Sequence, residues 1–67
     1  MHSLLKAARS RADLTMSELA EKSGVAIDTI SAIERGVRAP QARTLHKLAR
    51  ALGVDPAILI SEVEIAV

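Results

Sequence analysis

Cysteine, tryptophan, tyrosine and phenylalanine are all absent from this chain of 67 residues. Without cysteine the protein can form neither a disulfide framework nor a thiolate metal site, and a reducing environment is compatible with it. Without aromatic rings the core must be built from Leu, Ile, Val and Ala. The same absence removes the stacking platforms that proteins use to bind RNA and single-stranded nucleic acid.

Long apolar runs are missing as well. No stretch approaches the roughly 18 apolar residues that a membrane span needs, and the amino terminus lacks the pattern of a signal peptide. We therefore expect a cytoplasmic protein with no membrane partner. The length fits one domain, which at this size buries only about 60% of the surface of the unfolded chain.

The net charge is only +1, but the charges are unevenly distributed. Residues 1–52 hold all nine Lys and Arg and five of the eight acidic residues, which gives this part a charge of +4. Residues 53–67 contain the other three acidic residues and carry −3. A basic body with an acidic tail suits a protein that presents one face to phosphate groups.

The central segment, residues 15–36, is predicted to be two short helices joined by a tight turn. Thr15 and Glu18 form a T-x-x-E capping box, so the first of these helices should begin at Met16. Gly24 is the predicted end of that helix, because a residue without a side chain accepts a positive φ at no steric cost.

The second helix of this pair carries Ile30 and Ile33 at helical spacing and closes at Gly36. The apolar and small residues that set the pattern of the pair are Leu19, Ala20, Gly24, Val25, Ile30 and Ile33. Their spacing resembles that of the DNA-binding helix-turn-helix, whose second helix enters the major groove.

Three further helices are predicted around this pair. The first runs from a Ser3 cap to about Arg11, and the fourth covers about 41–52. Asp55 should cap a fifth helix that has Pro56 at its first position. The expected fold is all-α, with five short helices in a single domain. The domain spans residues 1–67, with a core at about 3–61 and an apolar tail at 62–67.

Arg9 lies on the apolar side of the first helix, four residues after Leu5. It needs a partner there, because an unpaired buried charge is very costly. Glu34 is the candidate, since it follows Ile30 by four residues on the inward side of its own helix. We predict an Arg9–Glu34 salt bridge; the alternative is two solvated charges at the edges of their stripes.

The order of these motifs resembles the lambda repressor/Cro-like (Xre-type) helix-turn-helix domain family. The resemblance covers about residues 3–61 and rests on LTMSELAEKSGV, TISAIERG, RAP and TLHKLARALGV. It implies a five-helix lambda repressor-like fold in which helices 2 and 3 form the helix-turn-helix. Family members are typically bacterial or phage regulators that bind palindromic operators as dimers. They commonly pair a helix 1 arginine with the IERG glutamate, here Arg9 and Glu34.

Two positions depart from the family pattern. Met16 stands where the family usually has a glutamine that braces the DNA backbone or the first base-reading side chain. Ala26 stands where a serine or threonine usually caps the recognition helix. Both changes bear on the usual contacts to DNA rather than on the fold.

The outward face of the third helix, at about 27–35, is the predicted base-reading surface. Arg35 can bond guanine or a phosphate, Asp28 can accept from a cytosine amino group, and apolar members can meet thymine methyls. The assigned set is Ile27, Asp28, Thr29, Ser31, Ala32 and Arg35. Because it contains few bidentate readers, we expect modest specificity, some of it from DNA shape.

Structural interpretations of the same side chains remain open. Asp28 in the first turn also favours the helix macrodipole. Ile27 can pack against helix 2 or a partner protein, and Ser31 and Ala32 can be ordinary surface.

Phosphate contacts are predicted from the positive ends of helices and from the loops between them. The assigned set is Thr15, Met16, Ser17, Arg38 and Arg43, of which Arg38 is the leading candidate. The remaining cations of the second and fourth helices, Lys22, Lys47 and Arg50, are interpreted as solvated charges. His2 and His46 are expected to be exposed, since their spacing does not suit a metal site.

The sequence thus predicts sequence-specific binding of double-stranded DNA by a homodimeric transcriptional regulator, a repressor, that dimerises through helix 5 and the tail. The alternative is a protein-interaction or antitoxin-type module that keeps the fold with weak or lost base reading. An enzyme is not expected, because no nucleophile–base pair, metal cluster or phosphate-cradling loop is present. We expect no cofactor and no small-molecule substrate, and a location at the nucleoid of a bacterial, phage or archaeal system.

Overall fold

The computed structural model describes residues 3–59 and shows four α-helices followed by one 3₁₀ turn. The elements are α1 (Leu4–Arg11), α2 (Met16–Ser23), α3 (Ile27–Glu34), α4 (Ala42–Leu52) and the 3₁₀ turn Pro56–Ile58. No strand occurs between residues 3 and 59. Over the same residues, no helix combines the length and the apolar character that crossing a membrane requires.

Side-chain caps begin α1 and α2 where the sequence predicts them. The hydroxyl of Ser3 accepts a hydrogen bond from the Lys6 amide at 3.1 Å. In the capping box, Thr15 Oγ1 accepts from the Glu18 amide at 3.0 Å, and the Glu18 carboxylate accepts from the Thr15 amide at 2.8 Å. The hydrogen bond from the Thr15 amide and, to a smaller extent, the Thr15 side chain hold the pKa of the Glu18 carboxyl below its ordinary value. Gly24 then ends α2 with a φ of 75°.

The core is aliphatic and is centred on α2, which packs against both α3 and α4. Leu19 of α2, Ile30 of α3 and Leu48 of α4 have no exposed surface. Helix α1 packs on α3, and the 3₁₀ turn packs on α4. The buried apolar residues are Leu5, Ala8, Leu19, Val25, Ile30, Ile33, Leu45, Leu48, Ala49, Ala51 and Leu59.

The predicted salt bridge between α1 and α3 is present. Arg9 Nε donates to Glu34 Oε2 at 2.7 Å, and Arg9 Nη2 donates to Glu34 Oε1 at 3.0 Å. A third bond runs from Arg9 Nη1 to the carbonyl oxygen of Leu14 at 2.8 Å. The side chains are only 14% and 6% exposed, so the pair is not two solvated charges. The hydrogen bond to Glu34 raises the pKa of Arg9.

The predicted fifth α-helix is not found among the described residues, which end in a single 3₁₀ turn. Asp55 does cap this turn by accepting from the Ala57 amide at 2.9 Å, and Pro56 stands at its first position. The chain then closes with i→i+3 bonds to Asp55 and Pro56, which bring Leu59 into the core with no exposed surface. The predicted continuation to residue 61 and the tail at 62–67 lie outside the described residues.

Candidate nucleic-acid interface

Helix α3 turns one side to the core and the other to solvent. Ile30 and Ile33 are buried, whereas Ile27 is 43% exposed. Asp28 and Arg35 are exposed as well. The other predicted base-facing residues, Thr29, Ser31 and Ala32, are half-buried at the edges of the strip. The structure therefore brings the six residues together along α3 and its carboxyl-terminal cap, with three of them exposed.

The amino-terminal end of α3 has no side-chain cap, because Ala26 provides no acceptor. The Thr29 amide instead donates to the Ala26 carbonyl at 3.0 Å. Among the described residues, no protein acceptor takes the amides of Ile27 and Asp28, so they can donate to water or to an anion. The Asp28 carboxylate in this first turn also favours the helix dipole, so its structural interpretation stays open.

Arg35 caps the carboxyl end of α3, and its Nε donates to the carbonyl oxygen of Ser31 at 3.4 Å. This bond lays the guanidinium along the helix beside Ser31 and leaves its terminal nitrogens free to donate elsewhere. The exposed guanidinium can therefore address acceptors on a base edge or on the DNA backbone.

The predicted phosphate contacts of α2 lie at its amino-terminal end. Thr15 and Ser17 are exposed, and the Thr15 hydroxyl keeps its own proton for an external acceptor while it accepts within the capping box. The Met16 side chain packs against the hydrophobic core. Met16 can therefore offer an anion only its backbone amide, which the helix dipole makes favourable.

Arg38 lies on the connection from α3 to α4 and Arg43 lies at the start of α4, and both are exposed. Gly36 turns the chain with a φ of 74°, and the Val37 amide donates back to the Ala32 carbonyl at 3.0 Å. Pro40 is buried at the far end of the connection. A loop fixed at both ends thus presents Arg38, and the first turn of α4 presents Arg43.

Sequence reasoning missed a second basic surface. Four residues that it interpreted as solvated or merely exposed, Lys22, His46, Lys47 and Arg50, meet the predicted phosphate contact Arg43 in one groove between α2 and α4, here called the α2–α4 groove. Its titratable lining residues are Lys22, Arg43, His46, Lys47 and Arg50. The signal was present in α4, where four of them recur at i, i+3, i+4 and i+7, but only the packing of α2 on α4 adds Lys22.

A model of the helix-turn-helix family matches residues 5–59. The chain belongs to the lambda repressor-like helix-turn-helix family. This family membership confirms the resemblance drawn from the IERG and ALGV motifs. No solved structure matches the chain.

Three relatives illustrate the family. An uncharacterised HTH-type transcriptional regulator of Methanothermobacter thermautotrophicus is 43% identical over 53 residues, which cover 79% of this chain and 77% of that protein. A second such regulator, from Mycobacterium tuberculosis, is 40% identical over 57 residues, 85% of this chain and 41% of the relative. The transcriptional repressor RstR of cryptic phage CTXphi in Vibrio cholerae is 39% identical over 56 residues, 84% of this chain and 50% of RstR. The chain thus spans half or less of the length of the last two relatives.

Proposed function

We propose that the protein binds specific sequences in double-stranded DNA as a homodimeric transcriptional repressor, with α3 in the major groove. The observation that carries this proposal is the accessible strip of α3, together with exposed hydroxyls at the start of α2 and the exposed Arg38 and Arg43 on the loop before α4 and in its first turn. Membership of the helix-turn-helix family supports it, as does the naming of one relative as a transcriptional repressor. Such a regulator acts in the cytoplasm, at the nucleoid.

Base reading in this proposal falls to the accessible strip of α3. Arg35 and Ser31 supply donors for acceptors in the major groove, and Asp28 accepts from a cytosine amino group. Ile27 and Ala32 meet thymine methyl groups. The set lacks Asn and Gln, so discrimination is modest and depends partly on DNA shape.

Phosphate contacts hold the protein in register. Thr15 and Ser17 donate with their hydroxyls, Met16 donates with its amide, and Arg38 and Arg43 contribute charge. These contacts carry no sequence information and supply most of the salt-dependent affinity.

Dimerisation matches two copies of α3 to a palindromic operator with half-sites about 34 Å apart. The 3₁₀ turn offers part of the proposed dimer surface, since Ile58 is an apolar side chain that is 52% exposed. The rest of that surface, the tail at 62–67, lies outside the described part of the chain.

Arg38→Ala should weaken binding to every duplex by a similar factor and lower the slope of log affinity against log salt by about 1. The reason is that an arginine on a fixed loop contacts a phosphate rather than a base edge. The measurement is fluorescence anisotropy with labelled duplexes between about 50 and 200 mM salt. Lys6→Ala, which removes an exposed charge from α1, is the matched control and should leave the slope unchanged. Equal slopes for wild type and Arg38→Ala would exclude the contact.

A protein-interaction or antitoxin-type module is the second candidate. The exposed apolar side chain of Ile27 favours it, because such a side chain at the start of α3 also suits a protein partner. The salt dependence separates the two functions. Binding to phosphates weakens steeply as salt rises, whereas an apolar protein contact does not.

A further inference from the structure

The α2–α4 groove is a concave surface with a volume of about 810 Å³. Four side chains of its lining carry permanent positive charge, namely Lys22, Arg43, Lys47 and Arg50. His46 adds a fifth nitrogen-bearing group, and Ser23 adds a hydroxyl. No acidic residue between positions 3 and 59 lines the groove.

These cations have no ion-pair partner within residues 3–59, where Arg9–Glu34 is the salt bridge found. Asp55 lies close in sequence to the lining residues Val54 and Pro56, but one of its carboxylate oxygens caps the 3₁₀ turn through the Ala57 amide. Four like charges on one concave surface repel each other unless an anion neutralises them. The groove therefore has the electrostatic character of a site for a polyanion.

We propose that the α2–α4 groove binds the sugar-phosphate backbone of the DNA that flanks the half-site read by α3. This inference rests on the proposed function and extends its contact surface. Arg43 belongs both to the groove and to the phosphate contacts proposed for the start of α4, so the two surfaces are continuous. From Arg43 to Arg50 the helix rises about 10 Å. This length lets the row face about two successive phosphates of one DNA strand, which winds around the axis as it advances about 3.4 Å per phosphate.

The exposure and regular spacing of the cationic side chains favour a DNA backbone as the occupant of the groove. Of the apolar lining residues, Ala51 is 7% exposed, and Val54 and Pro56 are half-buried. The cationic side chains are all exposed. A regular row of phosphates needs only these exposed charges, and the row on α4 begins at Arg43, which already belongs to the proposed contacts with DNA.

The chain offers two closely matched double variants for the test. Lys47→Ala with Arg50→Ala removes one lysine and one arginine from the groove, and Lys6→Ala with Arg11→Ala removes the same charges from α1. All four residues are exposed and helical, and alanine is the strongest helix former, so both variants should fold. Affinity is measured between about 50 and 200 mM salt on two duplexes. One contains the operator motif recovered by selection of bound fragments from random duplex DNA, and the other has a random sequence. Each duplex is prepared with short and with extended flanks.

Two phosphate contacts correspond to a loss of about tenfold in affinity over this salt range, because each contributes about 0.9 to the slope. Between about 50 and 200 mM salt, the factor by which affinity falls should therefore be about tenfold smaller for the groove variant than for the wild type. The α1 variant should behave like the wild type. Extended flanks should strengthen binding of the wild type and of the α1 variant, but not of the groove variant. Equal behaviour of the two double variants would overturn the proposal, since only net charge would then matter.

The same measurements distinguish failure of the proposed function from failure of the groove proposal. A wild type that shows no preference for any sequence contradicts operator recognition, while a groove variant with a reduced slope on random duplex still supports the groove. An operator preference combined with an unchanged groove variant supports operator recognition and overturns the groove. Absence of binding to any duplex overturns both.

Discussion

Glu34→Ala should destabilise the domain by about 3 kcal/mol, the scale expected when one partner of a buried ion pair is removed. The substitution leaves the Arg9 guanidinium, in a side chain only 14% exposed, with the Leu14 carbonyl as its remaining partner. It also removes the salt bridge between α1 and α3, the helix that carries the proposed base-reading strip. The loss should therefore weaken DNA binding as well, through unfolding rather than through a lost contact.

Urea denaturation followed by circular dichroism measures this effect. The control is the double variant Arg9→Met with Glu34→Leu, which should recover most of the lost stability because no unpaired charge remains. A cost of less than about 1 kcal/mol for Glu34→Ala is typical of surface pairs and would contradict the structural role given to this one.

Leu19→Ala should cost about 3–5 kcal/mol, through lost burial and the cavity left behind. Leu19 has no exposed surface and lies on α2, the helix that packs against both α3 and α4. A domain of this length has a total stability of about 3–10 kcal/mol, so the substitution should remove a third or more of it and lower the melting temperature strongly.

The matched control for this core substitution is Leu4→Ala, which truncates a half-buried leucine that packs at the edge of the same core. It should cost about 1 kcal/mol, since less apolar surface leaves the interior. Thermal melting compares the two variants directly. Similar melting temperatures for Leu19→Ala and Leu4→Ala would contradict the central position of α2.

Local chemistry explains why so much of the fold could be predicted. The Thr15–Glu18 capping box and the left-handed Gly24 are decided by a few neighbouring residues, and the structure shows both. The Arg9–Glu34 pair is separated by 25 residues in sequence, yet it too was predictable. An inward-facing charge requires a partner, and only one inward acid was available on a facing helix.

The fifth helix shows where this reasoning fails. Asp55 and Pro56 are good signals for the start of a helix, and they do start one turn. They say nothing about which kind of turn follows. Burial of Leu59 against the core decides that, and it is a tertiary requirement that no local pattern contains.

One part of the candidate site could also be predicted from the sequence, and another part could not. The outward strip of α3 follows from the positions of Ile30 and Ile33, so its members could be named from helical geometry alone. The α2–α4 groove could not, because Lys22 meets Lys47 and Arg50 only through the packing of two helices far apart in sequence.

The most direct test of operator recognition is selection of bound fragments from random duplex DNA at near-physiological salt. The wild type is compared with a variant in which Asp28, Ser31 and Arg35 are all replaced by Ala. The proposed function predicts a palindromic motif for the wild type, and loss of that motif in the variant while binding to duplex at low salt persists. No enriched motif for the wild type, or the same motif for both proteins, would contradict base reading by α3.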